Sequence, residues 1–230
     1  MNAATTPSFW RELIRKPFFW GIVAIVALLA LNVLKDPGYL AITINPNNGN
    51  LVGNLIDILR QAAPIMMIAI GMSLVIATAG IDLSVGSLMA VAGAVSMEFL
   101  KNVDDSSSVG VALAAVGMSL LVTGILGAVN GILVAYIGLQ PFIATLVLML
   151  AGRGIAKVIT GGQNTAASND PYRWIANGYV IGIPVVFILA LAIVLAVSWV
   201  VRRSALGLMI EAIGINPKAS RMAGIKPKGL

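Results

Sequence analysis

Gly71-Met-Ser-Leu-Val-Ile-Ala-Thr-Ala-Gly80-Ile-Asp82-Leu-Ser84-Val-Gly86-Ser-Leu-Met-Ala-Val-Ala-Gly93-Ala-Val95 decides the fold. Two apolar runs flank a polar knot, Gly80-Ile-Asp82-Leu-Ser84-Val-Gly86. Gly80 suits a left-handed cap that closes one helix, and Asp82 or Ser84 suits the start of the next. One reading is a tight turn at a membrane surface. The other is an interrupted membrane segment whose freed backbone groups lie against a solute path. Local chemistry favours the turn, because an acid inside a bilayer is costly and this one sits at a boundary.

Composition sets the class. Hydrophobic residues make up 59% of the 230 positions and charged residues only 10%. Soluble domains carry about a quarter charged residues, so this is the composition of a membrane protein. The chain has no cysteine and no histidine. Disulfides, thiolate nucleophiles, Ser-His-Asp triads and the usual zinc sites are therefore excluded. The net charge of +6 fits basic cytoplasmic loops better than nucleic acid.

Working outward, the pattern predicts an all-α polytopic bundle with spans at about 18–34, 62–79, 83–100, 109–137, 142–159 and 180–201. Residues 1–17 form a polar segment in which Arg11, Arg15 and Lys16 sit among Phe9, Trp10, Phe18, Phe19 and Trp20, as in an interfacial anchor. The first apolar run is longer than a signal peptide's core and reads as an uncleaved span. Residues 35–54 read as a loop with the turn-rich Asn45-Pro46-Asn47-Asn48-Gly49-Asn50, and 55–61 as an interfacial helix start. Pro64 lies near the start of the second span, where its missing N–H matters least. The third span is short and so must be buried among neighbours or take in the knot.

The fourth span contains Gly124-x-x-x-Ala128 and Gly127-x-x-x-Gly131, small residues one turn apart that permit close helix contact. Asn130 in the same stretch reads as a cross-helix hydrogen bonder, with solute contact as the alternative. Arg153 and Lys157 read as snorkelling to the surface, although Arg153 between two glycines could reach a cavity. Six spans place both ends on one side. Arg11, Arg15, Lys16, Arg202, Arg203, Lys218, Arg221, Lys226 and Lys228 all fall there, which makes it cytoplasmic. The 101–108 loop, with Asp104 and Asp105, and the 160–178 loop then lie outside.

Residues 202–230 form a basic cytoplasmic segment. In it, Asn216 suits an N-cap, Pro217 the first helical position and Gly224 the residue past the end, with Arg221 near the C-terminus. Such a helix of about two turns does not persist alone in water, so it needs a surface. That surface is the membrane, the protein itself or a cytoplasmic partner. Small Ala219, Ser220 and Ala223 would allow close approach.

Four motifs in order, Gly80-Ile-Asp-Leu-Ser-Val-Gly86, Gln140-Pro-Phe-Ile-Ala-Thr145, Gly152-Arg-Gly154 and Glu211-Ala-Ile-Gly-Ile-Asn216 with Ala223-Gly-Ile225, resemble the permease subunits of ribose-type sugar ABC importers. Within that family the chain is most similar to bacterial galactofuranose permeases. The resemblance implies two permease subunits forming the pathway, two cytoplasmic ATP-binding subunits and a periplasmic sugar-binding protein. It implies a multi-pass protein of the bacterial inner membrane that imports a sugar, with no catalytic residue and no cofactor of its own. ATP and Mg²⁺ would be bound by the partner ATP-binding subunit; the chain has no Walker Gly-x-x-x-x-Gly-Lys-Ser/Thr. It implies an ATPase-coupling region comprising Glu211, Ala212, Gly214, Asn216, Pro217, Ala219, Arg221 and Gly224. It also implies that Gly80, Asp82, Ser84, Gly86 and Asn130 belong to the helix break or translocation domain. Family members run on for further spans, so the chain is expected to stop early.

Three other functions are open to such a chain. A secondary transporter or channel for a small neutral solute would not need the docking helix. An intramembrane enzyme pairing Asp57 with Asp82 would need the two acids close together, yet they stand about 37 Å apart along a continuous helix. A truncated, non-transporting remnant is the last.

Overall fold

The structure, a computed structural model, describes residues 13–46, 49–103 and 105–226. Phe9, Trp10, Arg11, Asn47, Asn48, Asp104 and Lys228 lie outside the described residues. The chain is all-α and polytopic, and it divides into two units, Met1–Ile58 and Leu59–Leu230.

In the first unit, α1 (Pro17–Lys35) begins on a proline at its first position and ends on Lys35, the charge that favours a helix C-terminus. None of its residues is buried. The Trp20 indole N–H donates to the Ile14 carbonyl at 3.1 Å, and the Phe19 ring meets the Trp20 ring edge-on. A two-residue hairpin follows, β1 (Thr43–Ile44) against β2 (Leu51–Val52), pairing Thr43 with Val52. Gly53 follows at φ +145°, where a Cβ would stand 2.4 Å from the Ala41 carbonyl oxygen.

Helix α2 runs from Asn54 to Ala77 without interruption, with Pro64 inside it. The stretch 55–61 is therefore part of the same helix as the second span. Pro64 has no N–H to bond the carbonyl four residues back, and the helix continues past that gap.

The second unit holds α3 (Val85–Lys101), α4 (Val109–Ile132) and α5 (Pro141–Ile159), of which α3 packs along both others. Helix α4 continues as a π-turn, Leu133–Ile137, closed by Gly138 in the left-handed conformation at φ 83°. Next come the short α6 (Asp170–Asn177) and a hairpin of β3 (Tyr179–Val180) and β4 (Ile183–Pro184), then α7 (Val185–Arg203). Two helices close the chain, α8 (Ala205–Ile215) and α9 (Pro217–Met222).

Among the described residues, five helical stretches are long and apolar enough to cross a membrane: Pro17–Lys35, Asn54–Ala77, Val109–Ile137, Pro141–Ile159 and Val185–Arg203. The remaining expected span, 83–100, corresponds to the 17-residue α3. It is the best buried of these helices, with Ser87, Val91, Ala94, Ser96 and Leu100 all inside. A short helix held between two longer ones need not reach both membrane faces by itself.

Packing is inverted relative to a soluble protein. The buried apolar positions are mostly small, among them Ala63, Ala94, Ala112, Ala115, Ala144 and Ala190. Large side chains such as Leu113, Leu120, Val147, Val158 and Trp199 point outward. Small residues let helix backbones approach, and lipid covers the large ones at no hydrophobic cost. The Gly-x-x-x-Gly pairs on α4 do not serve this packing: a Cβ at Gly124, Gly127 or Gly131 would meet nothing within 4 Å.

Two segments differ from the sequence reading. The 160–178 loop contains α6, capped by Asn169, whose side chain accepts from the Tyr172 N–H at 2.9 Å. The last long helix starts at Val185 rather than near 180, because Tyr179 pairs with Pro184 and Val180 with Ile183 across a turn at Ile181 and Gly182.

Candidate helix break and coupling surface

The knot is a stiff connection between α2 and α3. Helix α2 ends in a six-residue cap: the Gly80 N–H donates to the Val75 carbonyl at 3.0 Å and the Ala79 N–H to the Ile76 carbonyl at 2.9 Å. The left-handed residue of this cap is Ala79, at φ 59°, and not Gly80 as the sequence suggests. Gly80 answers a different need. A Cβ there would lie 3.1 Å from Val75 Cγ1 and 3.2 Å from the Val75 oxygen.

Asp82 then folds back on Ser84. One carboxylate oxygen accepts from the Ser84 N–H at 2.8 Å and from its hydroxyl at 2.6 Å. Ser84 is the N-cap of α3 and is 1% exposed, but its side chain makes no capping bond. Its carbonyl instead accepts from the Ser87 and Leu88 N–H groups and from the Ser87 hydroxyl. Asp82 thus keeps a buried hydroxyl satisfied where no water would. Gly86 is exposed, with open space around it.

Helix α5 holds the knot from the side. The Thr145 hydroxyl donates to the Pro141 carbonyl at 2.8 Å and lies 3.3 Å from the Ile81 carbonyl, and the Ser87 hydroxyl, donated to Ser84, lies 3.3 Å from the Leu148 carbonyl. Gly152 allows this approach, since a Cβ there would lie 2.8 Å from Ser87 Oγ. Ser87, in the first turn of α3, thus meets the middle of α5 at Leu148 and Gly152.

The far ends of α3 and α5 carry a second polar cluster. Thr165 donates to Glu98 at 3.2 Å, Lys101 pairs with Glu98 at 3.2 Å, and the Tyr172 hydroxyl donates to Ser96 at 3.0 Å. A recess of about 550 Å³ lies there, lined by Gly93, Met97, Lys157, Gln163, Asn164 and Thr165.

Asn130 is buried on α4, and its carboxamide oxygen has no hydrogen-bond partner among the described residues. The cross-helix bond expected of that oxygen is not formed. Arg153 and Lys157 are both exposed. Arg60, expected from the sequence to face headgroups or protein at the interfacial helix start, faces protein: its guanidinium donates to the Tyr179 hydroxyl and lies 5.0 Å from the centre of that ring.

The C-terminal hairpin of α8 and α9 has an inner and an outer face. Asn216 caps α9, accepting from the N–H groups of Lys218 and Ala219 at 3.1 and 3.0 Å. Gly224, at φ 85°, closes it. Ser220 is 5% exposed and bonds back to the Asn216 carbonyl, so it faces the protein and offers no surface. Gly214 also faces inward: a Cβ there would lie 1.9 Å from the Ala77 oxygen. Outside, Glu211, Asn216, Pro217, Ala219, Arg221 and Gly224 are exposed, and Ala212 is half-buried. Ile215 and Met222 are 85% and 91% exposed beside them. Glu211 and Arg202 line a crevice of about 190 Å³ that α8 forms with α2 and α7.

Long apolar helices, small residues at their contacts and an exposed basic hairpin at one end define a multi-pass α-helical membrane protein. Residues 54–230 match the family described as branched-chain amino acid transport system / permease component, and the chain belongs to that family. It is 50% identical over 232 residues to the fructose import permease protein of Bifidobacterium longum, covering 96% of this chain and 62% of that one. It is 42% identical to the galactofuranose transporter permease protein of Escherichia coli K12, over 90% of this chain and 58% of that one. It is 37% identical to the ribose import permease protein of the same strain, over 89% and 60%. The chain thus spans about three-fifths of the length of the curated relatives it matches. No solved structure matches it.

Proposed function

We propose that this chain is part of the membrane permease of an ATP-binding cassette importer, which moves a sugar into the cytoplasm by alternating access. The 50% identity to a fructose import permease over 96% of the chain carries this reading. The galactofuranose and ribose relatives keep the solute a pentose or hexose. The sequence supports a neutral solute, because charged residues are only 10% of the chain and most stand at helix ends or in loops.

The outer face of the α8–α9 hairpin is the docking surface for a cytoplasmic ATP-binding subunit. Exposed Ile215 and Met222 beside Lys218 and Arg221 form an apolar centre with a basic rim, the pattern of a protein contact. Arg202, Arg203, Lys218, Arg221 and Lys226 support a cytoplasmic position for this end at a bacterial inner membrane, with the N-terminus on the same side. The 160–178 loop then faces a periplasmic sugar-binding protein. A second permease subunit completes the pathway. ATP and Mg²⁺ belong to the docked subunit.

The test is uptake of labelled fructose, ribose and galactofuranose by cells carrying this permease with its ATP-binding and sugar-binding partners. One sugar should accumulate, and omission of the ATP-binding subunit should abolish its uptake. Uptake that persists without that subunit would favour a secondary transporter or channel instead.

A further inference from the structure

The tip of the β3–β4 hairpin breaks two rules at once. Its turn is Ile181-Gly182, with both residues left-handed at φ 53° and 78°. A two-residue hairpin turn of this kind favours Asn, Asp or Gly at its first position. A β-branched side chain is the least suited to it, because the branches crowd the backbone at positive φ. Ile181 is also 93% exposed, so no packing within the protein compensates for the choice. Val180 and Ile183 beside it are exposed as well, and no charged or hydrogen-bonding side chain stands between Tyr179 and Pro184. We propose that this apolar tip inserts into the bilayer leaflet at which α7 begins and anchors the hairpin there. The anchor requires only that α7 cross the membrane, whatever the solute.

The hairpin joins this helix with no residue to spare. Pro184, the last residue of β4, is the N-cap of α7, and the Val185 N–H donates to the Gly178 carbonyl at 2.9 Å. The apolar part of α7 runs from Val185 to the residue before Arg202, about 26 Å at 1.5 Å per residue. The hydrocarbon core of a bilayer is about 30 Å thick. With Arg202 and Arg203 drawn to the headgroups at the other end, a span this short cannot hold its first turn clear of the lipid. The base of the hairpin therefore lies at the hydrocarbon boundary, and its apolar residues make up the missing length. On β3, Tyr179 turns to Arg60 of α2, so Val180 takes the opposite face. Trp174 adds the aromatic side chain common at this depth. It is exposed, and a Cβ at Gly178 would lie 2.6 Å from its Cδ1, so the indole rests on the hairpin base.

Spin labelling of the purified chain in lipid nanodiscs tests the anchor, and the absence of native cysteine leaves a single label. A nitroxide at Val180→Cys should relax faster with oxygen, which concentrates in lipid, than with a water-soluble nickel chelate. Labels at Leu195→Cys, exposed in the middle of α7, and at Asn164→Cys, exposed in the 160–178 loop, mark the lipid and water extremes. Adding Ile181→Asn should move the Val180 label toward the Asn164 value. Asn-Gly is the better turn, so that loss of lipid contact would not be a loss of the hairpin. Ile181→Leu keeps the apolar bulk and should keep the lipid contact. A Val180 label dominated by nickel with Ile181 in place would overturn the anchor and put the tip in water. A label shielded from both reagents would overturn it as well, since protein would then cover the tip. So would equal values with Ile181 and with Asn at that position.

Discussion

Asp82 is a structural acid in this geometry. It accepts both polar hydrogens of Ser84, and Ser84 is buried. Asp82→Ala strands that hydroxyl and should cost about 1–3 kcal/mol of stability. Asp82→Asn keeps an acceptor oxygen and should retain most of the stability. Thermal unfolding in detergent measures both, and an Asn variant as weak as Ala would mean the charge itself is needed. Ala79 gives a prediction of the opposite sign. An alanine held left-handed costs about 1–2 kcal/mol, so Ala79→Gly should be neutral to stabilising by up to about 1 kcal/mol after the chain entropy of glycine is counted. The sequence points to Gly80 for this role because glycine is the usual left-handed residue. The register of the cap depends on where α2 stops, and α2 stops where Gly214, 137 positions away along the chain, packs on Ala77.

At the scale of elements, apolar run lengths and the caps at Asn216 and Gly224 were legible, because those signals are local. The partners of α3 were not. Its crossing with α5 depends on Gly152 meeting Ser87, two residues far apart in sequence; Gly152 stands in a recognisable motif, but nothing local pairs it with Ser87. Gly152→Ala should overpack that crossing and lower stability by about 1–3 kcal/mol. Gly154→Ala faces open space and should be close to neutral or slightly stabilising, since alanine suits a helix better. Helix α6 also escaped the sequence reading. Its signal, Asn169-Asp170-Pro171, is an N-cap followed by an early proline, but eight residues of such polar composition are too short to announce themselves as a span. Ser220 shows the limit of reading small side chains as a docking face: helical rotation turns it inward while Ala219 and Arg221 turn out.

For the whole molecule, the placement of charge predicts which ends share a compartment. The chain has no native cysteine, so single cysteines report without background. In intact cells an impermeant maleimide should label Asn164→Cys in the outer loop and leave Ala219→Cys unlabelled until the membrane is opened. The opposite pattern would invert the topology.

The central claim is that the exposed face of α9 meets a cytoplasmic ATP-binding subunit. Cross-linking measures this most directly, with a short bifunctional reagent placed at Ala219→Cys or Met222→Cys in the assembled importer. Both positions should capture the ATP-binding subunit, and Asn164→Cys should not. An importer that transports sugar while neither α9 position cross-links to that subunit would contradict the assignment.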